Sequence, residues 1–130
     1  MIERAGAVTA QLAGVWRHAI DDVAGRRGGS RYLEDVLGGV EPEAMLSSFA
    51  AAGSLWSDDA ASIMIVSHRV ILALYVDPAH RRQGRGRALV TLARQEANAR
   101  DALALPGDRA MKSLYESVGW RARLLTMRGD

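Results

Sequence analysis

Apolar residues near the beginning of the chain recur at spacings of three and four. They are Leu12, Val15, Trp16, Ala19, Ile20 and Val23. This spacing places them on one stripe and predicts an amphipathic helix, which the glycine-containing run at residues 25–29 ends. A second, shorter helical pattern covers residues 32–37. A third follows Pro42, because proline suits the first turn of a helix.

The pattern changes after residue 50, where three runs of β-prone residues follow one another. They cover residues 54–56, 61–66 and 70–76. The short polar segments between them, Ser57-Asp58-Asp59 and Ser67-His68-Arg69, are typical of tight turns. These runs predict three antiparallel strands, and Asp77-Pro78 ends the third because proline has no amide hydrogen to donate.

The last third of the chain returns to a helical pattern. Residues 84–100 predict a helix whose inward face carries Leu89, Leu92, Ala93 and Ala97. The apolar run at residues 102–105 predicts a short strand. A last helix is predicted from its capping residue Asp108 to Gly119. Its apolar stripe consists of Met111, Leu114, Tyr115 and Val118. Leu124, Leu125 and Met127 predict a final strand.

Composition supports one folded domain over residues 1–130. The 130 residues are 48% hydrophobic and 25% charged, which is typical of soluble globular proteins. No apolar run approaches the ~20 residues that span a bilayer, and no secretory leader pattern is present, so we expect a cytoplasmic protein without a membrane partner. The absence of cysteine excludes disulfides, thiolate metal sites and a cysteine nucleophile.

Positive charge is concentrated at one place in the sequence. The net charge is only +2, yet Arg81, Arg82, Arg85 and Arg87 lie within seven residues. A nucleic-acid-binding protein more often spreads its basic residues along a whole face. The cluster therefore favours a local anion site over a nucleic-acid surface.

This cluster lies in a glycine-bearing loop between a strand and a helix. The first amides of a helix have no intrahelical partner, and together with the helix dipole they bind anions such as phosphate. Gly84 and Gly86 would let the backbone approach phosphate oxygens closely. Two better-known phosphate loops do not match, because Leu89 stands where the dinucleotide motif needs a third glycine and the P-loop Lys-Ser/Thr pair is absent.

The segments Val76-Asp77-Pro78 and Arg81-Arg82-Gln83-Gly84-Arg85-Gly86 resemble the acetyl-CoA signature of the GNAT acyltransferase superfamily. The resemblance implies an α/β fold, with a mixed, mostly antiparallel sheet splayed at the loop strand and flanked by helices. It also implies that the strand binds the pantetheine arm of acetyl-CoA and that the loop binds its pyrophosphate. The implied acetyl-CoA-binding residues are Leu74, Tyr75, Val76, Arg81, Arg82, Gln83, Gly84, Arg85, Gly86, Arg87 and Ala88.

A second motif, Leu114-Tyr115-Glu116-Ser117-Val118-Gly119-Trp120, is similar to the family's Leu-Tyr-Glu-x-x-Gly-Phe. By this resemblance Tyr115 would protonate the departing CoA sulfur. Its place on the apolar stripe favours core packing equally well. The segment at residues 101–110 and the tail at residues 122–125 look like those of small actinobacterial GNAT proteins of unsettled substrate.

The resemblance implies an N-acetyltransferase that transfers an acetyl group from acetyl-CoA to a primary amine by direct attack, without a metal. Many such enzymes carry a glutamate base on the loop strand, but residues 70–76 contain no acid and Ala73 stands at a corresponding position. A catalytically impaired acyl-CoA-binding or regulatory module is therefore the alternative. Asp58 and Asp59 are interpreted as turn formers first and acceptor ligands second. The acceptor is either a small molecule or a peptide, and the protein is either a monomer or a homodimer.

Overall fold

The computed structural model describes residues 1–127 and 129. Arg128 and Asp130, which fall within the predicted single domain, lie outside the described residues. In chain order the elements are β1 (Ile2–Arg4), α1 (Ala10–Ala24), α2 (Gly29–Leu37), α3 (Pro42–Ala51), β2 (Leu55–Asp58), β3 (Ser62–Ser67), β4 (Val70–Val76), a short 3-10 helix (Pro78–His80), α4 (Arg85–Ala97), β5 (Asp101–Ala102) and α5 (Arg109–Ser117).

The predicted helices form, and capping interactions fix where they begin. The Thr9 hydroxyl accepts a hydrogen bond from the Leu12 amide of α1 at 3.2 Å. The Glu41 carboxylate accepts the first free amides of α3, where Pro42 occupies the first turn as predicted. The Asp108 carboxylate accepts the Met111 amide at the start of α5, at 3.0 Å. The sequence pattern is therefore confirmed for these helices, although α2 begins at Gly29, before the predicted segment.

The strands form one mixed sheet in the order β1-β2-β3-β4-β5. Neighbours from β1 to β4 are antiparallel, and the pair of β4 with β5 is parallel. The two-residue turn between β3 and β4 places His68 and Arg69 at positive φ, and such a turn matches the right-handed twist of the strands that it joins. The predicted α/β class with a mostly antiparallel sheet is confirmed.

Helices cover both faces of this sheet because side chains alternate along its central strand. Ile63 and Ile65 of β3 pack with Trp16 of α1 and Leu46 of α3. Met64 and Val66 of β3 face the other way, toward α4 and α5. The core residues on that second side include Trp56, Ile71, Leu74, Leu89, Val90, Ala93 and Tyr115.

The sheet opens between β4 and β5 at an irregularity in β4. Ile65 pairs with Ala73 whereas Val66 pairs with Ile71, so Leu72 is an extra residue in β4 and forms a β-bulge. The parallel pairing with β5 involves only Val70 and Ile71, and the last contact is the Leu103 amide donating to the Ile71 carbonyl at 3.0 Å. Beyond the bulge the two segments separate, which is the predicted splay.

Three expectations about strands need correction. The short edge strand β1 was not predicted, because three residues show no periodicity. The run at residues 102–105 contributes only its beginning to β5, since the rest follows the splay. The predicted final strand is wrong: Leu124, Leu125 and Met127 are 89%, 68% and 82% exposed and belong to no strand. The two residues of β5 offer too short an edge to pair with them.

Candidate functional site

The loop before α4 presents unpartnered backbone amides to solvent. The Ala88 amide donates to the Gly84 carbonyl at 3.1 Å and makes the first bond of the helix. The three amides before it, those of Arg85, Gly86 and Arg87, precede the first possible intrahelical bond. No side chain caps this end, and no acidic residue lies in the first turn. The arrangement is suited to an anion.

The two glycines of the loop have different structural roles. Gly84 has φ of +77°, and a Cβ built on it would meet nothing within 4 Å, so open space lies in front of it. A Cβ on Gly86 would lie 3.0 Å from the Leu114 side chain of α5. Gly84 therefore supplies a left-handed turn beside the free amides, whereas Gly86 allows α4 and α5 to pack closely.

The predicted arginines have different surroundings. The Arg81 Nε donates to the Val76 carbonyl at 2.9 Å, and its guanidinium lies 5.4 Å from the centre of the Tyr75 ring. Arg85 turns inward, where it pairs with the Asp58 carboxylate at 2.9 Å and bonds the Gln83 side chain at 3.1 Å. The other two arginines, Arg82 and Arg87, and Ala88 are exposed.

The strand before the loop has backbone groups directed away from β3. The Asp77 amide donates to the Ala61 carbonyl at 2.8 Å, and pairs in an antiparallel ladder alternate between bonded and non-bonded. It follows that the groups of Leu74 and Val76 point to the edge of β4 where the sheet is splayed. The Val76 carbonyl already accepts a hydrogen bond from Arg81. The Leu74 amide and carbonyl and the Val76 amide are thus directed to that edge.

A cleft of about 530 Å³ opens where β4 and β5 part. Residues 72–76 form one wall, residues 103–105 and α5 form the opposite wall, and α1 and α2 close one end. Of the predicted site residues, Leu74, Tyr75, Val76, Arg81 and Arg82 line the cleft. The free amides of α4 begin three residues after Arg82 in the chain, so the loop adjoins the part of the cleft that Arg82 lines.

The ring of Tyr115 is packed in the core beside the cleft. The residue is 7% exposed, and its ring stacks on that of Trp120 at a centroid distance of 5.4 Å. Its neighbours Met111 and Leu114 line the cleft, and its phenol interacts electrostatically with Tyr32 and Asp108, which line the cleft as well. Burial raises the pKa of the Tyr115 phenol, and the nearby Tyr32 adds to this effect. The phenol is therefore neutral at physiological pH.

The carboxylates of Asp22 and Asp108 line the cleft, although sequence reasoning did not place them there. Asp22 of α1 pairs with Arg26 at 3.1 Å, and Arg26 also lies 3.9 Å from Asp108. Asp58 and Asp59, the acids considered from the sequence, do not line the cleft: Asp58 is buried at the end of β2, not in the predicted turn, and pairs with Arg85, whereas Asp59 lies in the exposed turn. No spacing in the sequence could indicate that the last turns of α1 face β4.

Tyr32 of α2 is a further cleft residue that the sequence did not single out. It lines the cleft, and its hydroxyl donates to the Leu72 carbonyl at the β-bulge. Neither His68 nor His80 lines the cleft: His68 lies in the β3–β4 turn, and His80 bonds Asp77 at 3.0 Å. Within the described part of the chain, no three His, Asp or Glu side chains form a group that could hold a metal ion.

Comparison with known proteins gives a family and a fold. A family model described as an acetyltransferase (GNAT) domain matches residues 48–122. A solved structure, a GCN5-related N-acetyltransferase from Ralstonia eutropha JMP134, is similar over 92% of each chain, with a TM-score of 0.57 and 23% sequence identity. At this identity the likeness concerns the fold alone. A comparison with curated proteins gives no match.

Proposed function

Because the chain belongs to the GNAT acetyltransferase family, we propose that it is a single-domain N-acyltransferase that transfers an acetyl group from acetyl-CoA to a primary amine. The observation that carries this proposal is the continuity of the free α4 amides with the cleft at the splayed strand. An anion site beside a mostly apolar cleft suits a ligand with a phosphate at one end and an extended arm.

In this proposal the chain binds acetyl-CoA through backbone groups rather than side-chain charge. The α4 amides bind the pyrophosphate, with Gly84 giving access and Arg82 at the rim. The open groups of Leu74 and Val76 bond the pantetheine arm, and Tyr75 and Arg81 wall the cleft. Arg85 acts indirectly, because its pair with Asp58 holds the start of α4 in place. Gln83, Gly86, Arg87 and Ala88 complete the loop.

The proposed reaction is a direct transfer for which acetyl-CoA supplies the activated thioester. The acceptor nitrogen bonds the acetyl carbon, and the carbon–sulfur bond breaks. The Leu74 amide polarises the acetyl carbonyl, the proton of the amine passes to water, and Tyr115 gives a proton to the sulfur and regains one from water. The phenol of Tyr115 lies near Tyr32 and Asp108, two residues that line the cleft, which supports this role.

The acceptor and the cellular setting belong to the same proposal. We place the protein in the cytoplasm, with a small-molecule or peptide amine as acceptor and a second copy of the chain as a candidate partner. None of the helices in residues 1–127 combines the length and apolarity that crossing a membrane requires. The inward pairing of Arg85 leaves less exposed positive charge at the loop than the sequence suggested, which argues further against nucleic acid.

We expect acetyl-CoA to raise the melting temperature of the protein. A ligand at 100 times its Kd stabilises the native state by about 2.7 kcal/mol, which corresponds to a shift on the order of 10 °C for a domain of this size. The measurement is a thermal melt monitored by calorimetry, with inorganic phosphate at equal ionic strength as the control. Melting curves unchanged by millimolar acetyl-CoA and propionyl-CoA would refute the assignment.

The rate of transfer is expected to keep rising from neutral to alkaline pH. β4 carries no carboxylate base, so the acceptor amine must lose its proton to water before it attacks. The proton donor does not limit the rate in this range, because burial raises the pKa of Tyr115 and keeps its phenol protonated. Initial rates of thiol release with a simple amine, measured from pH ~6 to ~10, test this expectation.

The Asp22→Asn variant tests in the same pH experiment whether a carboxylate of α1 acts as the base. If an acidic limb appears and Asp22→Asn abolishes it, the base comes from α1 and the expectation of a missing base is wrong. Asp59→Asn is the matched variant, since Asp59 is an exposed turn carboxylate.

The second candidate is an acyl-CoA-binding module without turnover. Two observations favour it: β4 lacks a carboxylate, and the ring of Tyr115 is packed in the core. Acetyl-CoA would then bind, while no amine in a broad panel would release CoA above the rate without protein at any pH. Release that depends on both the protein and one amine would contradict this alternative.

A further inference from the structure

The β-bulge at Leu72 lies at the point where the sheet opens. Up to Ile71 the outward edge of β4 is bonded to β5, and from Leu72 onward this edge faces the cleft. A carbonyl at such a point has lost its strand partner, and a buried carbonyl without a donor is costly. The Leu72 carbonyl has a donor, the hydroxyl of Tyr32 in α2, forty residues earlier in the chain.

The Tyr32 hydroxyl is well suited to remain a donor. The residue is half-buried in the end of the cleft that α1 and α2 close. Burial raises the pKa of its phenol, so the group stays protonated through the physiological range. Since its hydrogen is directed to the Leu72 carbonyl, this hydroxyl is not the proton donor of the reaction. Its effect must pass through the backbone.

The bond fixes a peptide plane close to the reacting position. The Leu72 carbonyl and the Ala73 amide share one planar unit, which Tyr32 holds from the cleft side while Ala73 pairs with Ile65 of β3 on the other side. The next unit carries the Leu74 amide. With the bulge held from both sides, the direction of the Leu74 N–H is set.

We propose that Tyr32 is a positioning residue for the acyl group: by holding the bulge, it aims the Leu74 amide at the acetyl carbonyl. This rests on the proposed function, because it presumes an acyl-CoA in the cleft. It adds a residue of α2 to a site otherwise built from β4, α4 and α5. It also predicts that Tyr32 affects recognition of the acetyl group and not of the phosphates.

Tyr32→Phe tests this proposal, because phenylalanine keeps the ring and removes only the donor. The quantity to measure is the ratio of the Kd of CoA to the Kd of acetyl-CoA, by calorimetry. We expect the Kd of CoA to stay within about 2-fold and the preference for acetyl-CoA to fall by about 3- to 10-fold, the usual worth of one hydrogen bond. The ¹³C shift of the Leu72 carbonyl should move in the same variant.

Thr9→Ala is the matched control. It also removes one hydrogen bond, the α1 cap, at a distance from the cleft, so it should lower stability comparably and leave the ratio unchanged. A wild-type protein that binds neither ligand would overturn the proposed function itself. A wild-type protein that binds both, with the ratio or the Leu72 shift unchanged in Tyr32→Phe, would overturn only the role of Tyr32.

Discussion

Tyr115→Phe is expected to lower turnover by ~10²- to 10⁴-fold, the usual contribution of a general acid, while the affinity for acetyl-CoA changes little. The loss falls on kcat because the sulfur would have to leave as an unprotonated thiolate. The measurement is thiol release at saturating acetyl-CoA, beside the Kd from calorimetry. A Tyr115→Phe variant with full turnover would leave Tyr115 only its role in core packing.

The structure makes this an unusually clean substitution. The ring of Tyr115 is buried and stacks on Trp120, and phenylalanine preserves both contacts. Within the described residues the Tyr115 hydroxyl has no hydrogen-bond partner, so its removal leaves no protein group unsatisfied. We therefore expect a melting temperature close to that of the wild type. Tyr115→Leu is the contrasting variant, since it removes the ring and should destabilise the core.

Those parts of the fold that depend on local chemistry could be predicted from the sequence. The stripe of α1, the proline of α3, the Asp108 cap and the break at Pro78 each act within a few residues of where they stand. The glycine loop belongs to this group, because strand, turn and helix start lie within one short segment. Its family motif then indicated the splay of β4, which no periodicity could show.

The missed features depend on contacts between distant segments. Tyr32 bonds Leu72, and Asp22 shares the cleft with Asp108, only because the sheet brings α1, α2 and α5 to one place. The error at Leu124 has the same origin: apolar residues predict a strand, but a strand also needs a partner edge, and β5 is two residues long. The ion pair of Arg85 with Asp58 depends in the same way on a residue far away in the sequence.

Gly84→Leu is expected to lower the affinity for acetyl-CoA by at least ~100-fold, which equals about 2.7 kcal/mol. The new side chain would enter the open space beside the free α4 amides, where we place the pyrophosphate. Each bond from an amide to a charged oxygen is worth ~1.5–3 kcal/mol, so the loss of two accounts for this effect. Calorimetric titration of the variant with acetyl-CoA gives the number directly.

Gly38 provides the control that separates binding from backbone strain. It ends α2 at φ of +58°, and a Cβ there also meets nothing within 4 Å. Gly38→Leu should therefore incur a similar left-handed cost of ~1–2 kcal/mol in stability. Its affinity for acetyl-CoA should nevertheless equal that of the wild type. If both variants lose the same affinity, general destabilisation explains the result and the α4 loop is not the phosphate site. If Gly84→Leu alone loses affinity at matched stability, the anion is bound at the start of α4.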